Sequence, residues 1–279
     1  MTVVVVWYQE KQGELWCAAD SRISVANRDP TDSGPNRVLT DSGPKIFPVP
    51  VVCHEHLNGI KWRVCKRHSF GFAFAGNTLS AMSTHSMASA CTQNFARKKG
   101  YNKPISVESV ANLYAEIGTQ QVKEMSARLG AAESRVQYFF DAFIFGFCPT
   151  ENRFVAFVIV SSIAGGEFHF NIAQVKIGPG YYLTIGSGEA AFVSLMDELK
   201  GEPDAGVIST LREMVNREIQ SCVGGNLQIG VSSKQGFRVV PVLDTSNGPG
   251  EAFVSFLGWD ATSYQGLDGY SIGYSAIKP

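Results

Sequence analysis

Thr2 stands behind Met1, and removal of that methionine would leave a hydroxyl and a free α-amine on one residue. An α-amine has an unperturbed pKa of about 7.7–8.0, so near neutrality a useful fraction can take the hydroxyl proton. Nucleophile and base would then share a residue, as in N-terminal threonine catalysis. Asp20 and Arg22 lie in Ala18-Ala19-Asp20-Ser21-Arg22, and Lys45 in Gly43-Pro44-Lys45-Ile46-Phe47. An adjacent ammonium disfavours a second cation, so Lys45 would lower the amine's proton affinity while Asp20 holds the ammonium in place. Each residue alone has an ordinary alternative: Asp20 and Arg22 as a strand-end ion pair, Lys45 as a solvated strand residue.

Those three positions meet only if the chain doubles back. Residues 2–8 are rich in β-branched side chains, Lys11-Gln12-Gly13 is a turn signal, and 14–19 is a second apolar run, which together predict a hairpin returning Asp20 beside Thr2. Residues 27–44, with Asp-Ser-Gly-Pro at 32–35 and again at 41–44, read as a loop. A strand resumes at Lys45, residues 48–68 look like an inserted excursion, and 69–75 form a buried strand ending at Gly76. Asn77 caps an expected helix running to Arg97-Lys98-Lys99-Gly100, and Ser106 opens another that stops at Gly130, with Gly118 a weak point inside it. Strands follow at 138–147, 153–160, 167–175 and 181–185, helices at 189–200 and 204–220, and strands at 226–232 and 237–243. This order predicts a layered α+β domain over 2–243, followed by a Gly-, Ser- and aromatic-rich extension, 244–279, to which no element is assigned.

Composition narrows the partners. Across 279 residues, 24 basic and 25 acidic side chains leave a formal charge of −1, with no excess to collect phosphates, so nucleic acid is not an expected partner. Hydrophobic residues at 44% against charged residues at 18% exclude a disordered chain. Six scattered cysteines suit reduced thiols in a cytoplasm, and the longest apolar run, 154–160, is too short for a membrane span. No secretory signal is read at the N-terminus.

Other chemistries are weaker. The histidines, at 54, 56, 68, 85 and 169, have no G-x-S-x-G elbow to serve. Gly186-Ser187-Gly188-Glu189-Ala190-Ala191 matches a relaxed dinucleotide fingerprint, but the helix it opens leads to another helix rather than to a parallel strand. Cys53, His54 or His56, Cys65 and His68 are loosely finger-spaced yet lack paired turn motifs, so no metal or cofactor is expected.

Thr2 heading a valine-rich strand, Ala19-Asp20-Ser21-Arg22, Lys45-Ile46-Phe47, Gly71-Phe72-Ala73-Phe74-Ala75-Gly76-Asn77 before a helix, and Ile185-Gly186-Ser187-Gly188 before another occur in that order. In this arrangement the sequence resembles the proteasome β-subunit family, which includes the bacterial HslV peptidase and other bacterial proteasome homologues. The resemblance implies an N-terminal nucleophile (Ntn) hydrolase fold, a four-layer αββα sandwich, and threonine-type hydrolysis of peptide bonds. By position it implies Thr2 as nucleophile and base, Asp20 and Lys45 as its charge partners with Arg22 in support, Ser187 beside the amine, and the Ala73 N–H as an oxyanion donor. Ile23, Phe47, Gly71 and Ala75 match positions that shape a first specificity pocket, suggesting an apolar substrate side chain. Family members form stacked homo-oligomeric rings, so the implied partners are further copies, a peptide or unfolded protein, and an ATP-dependent unfoldase. Two positions depart from the pattern: Gln220 stands where proteasomes carry an acid and Val223 where they carry a serine. A catalytically weak ring used as a scaffold, or a small-amide Ntn hydrolase, are the alternatives.

Overall fold

The computed structural model describes residues 2–25, 37–57, 61–128, 138–202, 205–244, 253–263, 268–270, 272 and 276–277. Met1 and its removal, most of the 27–44 loop and the helix stop at Gly130 lie outside the described residues.

The expected opening hairpin is present as β1 (Val4–Gln9) and β2 (Glu14–Ala19), with Val4 paired to Ala19. β3 (Ile23–Val25) pairs with β4 (Arg37–Thr40), so the expected loop ends in a strand. β5 (Ile46–His56) and β6 (Trp62–Gly76) form one long antiparallel hairpin, and residues 48–68 are its outer length. α1 (Thr78–Thr92) is capped as expected, the Asn77 side chain accepting from Ser80 N at 2.8 Å. It stops short of Gly100 because β7 (Phe95–Ala96) pairs in parallel with Cys53–His54 of β5. α2 (Val107–Arg128) follows, then β8 (Phe140–Cys148), β9 (Arg153–Ala164), β10 (Glu167–Val175) and β11 (Tyr182–Ile185). α3 (Glu189–Glu198) and α4 (Val207–Asn216) precede β12 (Gln228–Ser233) and β13 (Gly236–Val240). The last strands are β14 (Val242–Asp244), β15 (Phe253–Phe256) and β16 (Trp259–Asp260), the latter two within the extension.

Two sheets carry the architecture: a five-stranded one ordered β11-β1-β2-β12-β13 and a six-stranded one ordered β10-β9-β8-β6-β5-β7. Alternation along the strands sorts their side chains by face. Val3, Val5, Trp7, Trp16 and Ala18 pack with Phe192, Leu195, Leu211 and Met214 of α3 and α4. Phe70, Phe72, Phe74, Phe140 and Ile144 pack with Val110, Ala111 and Tyr114 of α2. Residues of opposite parity from both sheets, including Val4, Val6, Cys17, Ala73, Phe143 and Phe145, make a third cluster. A fully buried aliphatic or aromatic side chain stabilises by about 1.5–3 kcal/mol, so strands apolar on both faces have their register fixed from two sides. Gly118, expected as a weakness, allows a close approach: a Cβ there would lie 2.7 Å from the Phe170 ring.

Candidate active site

The hairpin register places Thr2 beside Asp20. Val4 pairs with Ala19, and at the open end of that ladder Val3 N donates to Asp20 Oδ1 at 3.2 Å. Thr2 Oγ1 donates to the same oxygen at 2.6 Å. Lys45, immediately before β5, donates through Nζ to Asp20 Oδ1 at 2.8 Å and also to Thr2 Oγ1. The three side chains are 3%, 0% and 3% exposed for Thr2, Asp20 and Lys45, so the pair is screened by almost no water. Burial pushes the Lys45 pKa below its ordinary value, against the opposing pull of Asp20.

The second carboxylate oxygen of Asp20 accepts from two backbone amides, Arg22 N and Gly224 N, each at 3.2 Å. Its lone pairs are thus used by one hydroxyl, one ammonium and three amides, which fixes its orientation. Gln228, also buried, accepts from Lys45 N at 2.9 Å and donates to the Gly43 carbonyl at 2.6 Å, tying β12 to the segment that delivers Lys45. Neither Gly224 nor Gln228 was expected from the sequence. A backbone amide leaves no residue signature, and a lone glutamine has no motif.

Arg22 lines the small recess beside Thr2 but pairs elsewhere. Its Nε donates to Asp41 Oδ1 at 2.6 Å and one Nη to the Ser221 carbonyl at 3.2 Å. The ordinary alternative of an Asp20–Arg22 side-chain pair is therefore not what forms: Asp20 takes Lys45, and Arg22 takes Asp41.

The turn 186–188 wraps the Thr2 backbone. Gly188 N donates to the Thr2 carbonyl at 3.1 Å, and Gly186, at φ +102°, could not carry a Cβ, which would sit 2.2 Å from that oxygen. The glycines of the dinucleotide-like motif thus serve a close backbone approach. Ser187, exposed, lines the same cleft as Thr2, and Gly188 is the α3 N-cap.

Thr2 borders two spaces. A small recess of about 10 Å³ is lined by Ile23, Lys45, Phe74 and Gly76, among others, and an open cleft of about 580 Å³ by Ala75, Gly76, Phe140, Val160, Ile185 and Ser187, among others. Ile23 and Ala75 are where a substrate pocket was expected; two other expected residues are not. Phe47 faces the α1 side, stacked behind Phe74 and 4.7 Å from the His85 ring centroid. Gly71 is pressed under the Phe145 ring, where a Cβ would be 2.4 Å from it. Ala73 is buried in the cluster shared by the two sheets, opposite Ile46 and Phe143, and lines neither space. Gly76, at φ +112°, borders both in its stead. Strand parity puts Phe47 on the helix side, whereas Gly71, Ala73 and Ala75 share the other face of β6 and differ by their position along it: Ala75, near its end, meets the cleft, and Gly71 and Ala73, deeper in the sheet, do not.

Gln220 is half-buried, its carbonyl accepting from Val223 N at 3.0 Å, and Val223 is fully buried against the α3–α4 face. Around the finger-spaced residues, Cys65 Sγ donates to the Cys53 carbonyl at 3.2 Å and His68 Nε2 lies 2.9 Å from the Phe147 carbonyl. Among the described residues no group of three His, Cys, Asp or Glu side chains is placed to hold a metal, and no helix is long and apolar enough to cross a membrane.

With this geometry in view, known structures give the fold. Anbu (ancestral beta-subunit) from Yersinia bercovieri superposes with a TM-score of 0.50 at 14% identity, over 86% of this chain and 86% of its own. The chain shares that proteasome-like fold. Anbu from Hyphomicrobium sp. strain MC1 gives a TM-score of 0.49 at 12% identity over 86% of this chain and 84% of its own. HslV from Trypanosoma brucei gives 0.41 at 13% identity over 84% and 99%. No protein-family model matches the sequence, and no curated protein matches it.

Proposed function

We propose that this chain is a threonine peptidase of the Ntn type, its helix pairs and two sheets stacked as an αββα sandwich. The observation that carries the reading is the buried cluster in which Lys45 Nζ bonds both Thr2 Oγ1 and Asp20 Oδ1. A surface lysine gains nothing from burial, and a buried ion pair is a weak source of stability, so a chemical use accounts for it better than a structural one.

In the proposed reaction, Met1 removal frees the Thr2 amine. The amine takes the Oγ1 proton as the oxygen attacks the scissile carbonyl, and passes it to the departing amine as the C–N bond breaks. Water, deprotonated by the same amine, then cleaves the resulting ester. Lys45 stabilises negative charge developing on Oγ1 and keeps the neighbouring amine neutral; Asp20 fixes Lys45. Ser187 lies on the cleft side to assist the amine, and the backbone at Gly76 is the candidate donor to the oxyanion in place of Ala73. The cleft, walled by Phe139, Phe140, Val158, Val160 and Ile185, suits an extended peptide with apolar side chains. A stacked ring of identical chains in the cytoplasm, served by an unfoldase, is the assembly this reading entails.

Covalent labelling with an epoxyketone or β-lactone, followed by mass mapping, tests the reading: the adduct is expected on Thr2, with Met1 absent. Thr2→Ala is expected to abolish peptide turnover and leave assembly intact, and Lys45→Ala to abolish turnover while destabilising the fold, because Asp20 is left buried without its cation. Unchanged turnover in either removes that residue from the mechanism. The scaffold alternative draws support from Val223, which buries a side chain where the resembled family has a hydroxyl; full retention of Met1 in the purified protein would favour it.

A further inference from the structure

The extension beyond residue 244 reaches the residue next to the catalytic carboxylate. Ser21 is fully buried and joins three chain segments. Its hydroxyl donates to the Asp41 carbonyl at 2.5 Å and accepts from Asn226 N at 2.7 Å. Its own backbone accepts from Gly43 N at 2.8 Å and donates to the Gly224 carbonyl at 3.2 Å. These are the segments that lead into Lys45 and that present the Gly224 amide to Asp20.

The Leu257–Gly258 turn between β15 and β16 closes over this junction. The Gly258 carbonyl accepts from Asn226 Nδ2 at 3.0 Å, and a Cβ on Gly258 would lie 2.5 Å from Ser21 Cβ and 2.7 Å from its Oγ. Both turn residues have positive φ, +53° for Leu257 and +87° for Gly258, and Leu257 still packs against the cluster between the sheets. A leucine in the left-handed region is held there only when its surroundings demand it.

We infer that this turn is a positioning element for the proposed reaction: by seating Ser21 it sets the carboxylate of Asp20 and, through residues 41–43, the approach of Lys45. The inference rests on the proposed function. It assigns the turn the task of orienting a site in which Gln220 and Val223 stand where the resembled family carries an acid and a serine. Neither Leu257 nor Gly258 lines the recess or the cleft beside Thr2.

Gly258→Ala tests it against Gly269→Ala, which imposes the same backbone penalty at φ +90° with nothing within 4 Å of the new methyl. Because a displacement of about 1 Å can cost about a hundredfold in rate, Gly258→Ala is expected to lower kcat at least about tenfold with KM within about twofold. Hydrogen–deuterium exchange in peptides covering 20–22 and 222–226 should quicken in the same variant. Gly269→Ala should change none of these. Unaltered kcat and exchange in Gly258→Ala, or an equal loss in Gly269→Ala, overturns the inference. Should Gly258→Ala fail to fold, Asn226→Ala, which deletes the side-chain bond to the turn, should show the same pattern at about threefold in kcat. A wild-type protein that neither turns over peptide nor labels at Thr2 defeats the functional reading instead, and exchange alone then decides whether the turn seats Ser21.

Discussion

Two bases withdrawn from water, Lys45 and His85, are treated in opposite ways. Lys45 is buried with a carboxylate at 2.8 Å, and His85 is half-buried among the rings of Phe47, Phe72 and Tyr114, with the Tyr114 hydroxyl 3.0 Å from Nδ1. Burial lowers the pKa of both; for His85, where nothing opposes it, the value falls to about 4. The histidine is therefore a neutral packing residue at pH 7. Lys45 retains a compensating charge that a purely structural core would do better without. The difference separates a group accommodated by the core from one the core is built to hold.

The largest way to break that contrast is to strand a charge. Lys45→Met should destabilise the fold by about 3–5 kcal/mol, because Asp20 is left fully buried without its cation. Adding Asp20→Asn should recover much of the loss in chemical denaturation while leaving the protein inactive. Equal stability of Lys45→Met and wild type would mean that the pairing of Lys45 with Asp20 contributes nothing to the fold.

A smaller effect sharpens the histidine side. Because the folded His85 pKa lies below the unfolded value of 6.5, the unfolded chain binds more protons between 6.5 and about 4, and stability falls as pH falls through that window. The shift corresponds to about 3 kcal/mol at most between those limits. Denaturation midpoints measured across the window should decline less in His85→Leu than in wild type; parallel declines would place the acid sensitivity elsewhere. The smallest change is expected at Arg22, whose pairing with half-exposed Asp41 is worth under about 1 kcal/mol. Arg22→Ala should barely move the denaturation midpoint, and a loss comparable to that of Lys45→Met would show that the guanidinium is part of the buried cluster.

Much of the site was legible because it is local in strand register. A hairpin over 2–19 brings Thr2 to Asp20 whatever the rest of the chain does, and Lys45 follows at the start of the next long strand. The pocket was less legible. Gly71, Ala73 and Ala75 lie on one face of β6, and only the depth of each in the sheet decides which of them meets solvent at its end. The dinucleotide-like glycines and the 48–68 stretch take their meaning from packing for a related reason. The first marks a close backbone contact with Thr2, the second the outer length of a hairpin whose strands are continuous with the central sheet.

Residue types and spacing determined the hairpin, the helix caps and the identity of the three polar side chains that meet at Thr2, since those depend on side-chain chemistry and nearby register. Chain path alone decided that Gly224 presents its amide to Asp20, that Gly76 borders the cleft beside Thr2, and that Gly258 rests on Ser21. Every residue but proline carries the same amide, and glycine carries nothing else; which amide is unpaired and aimed is a property of the packed chain.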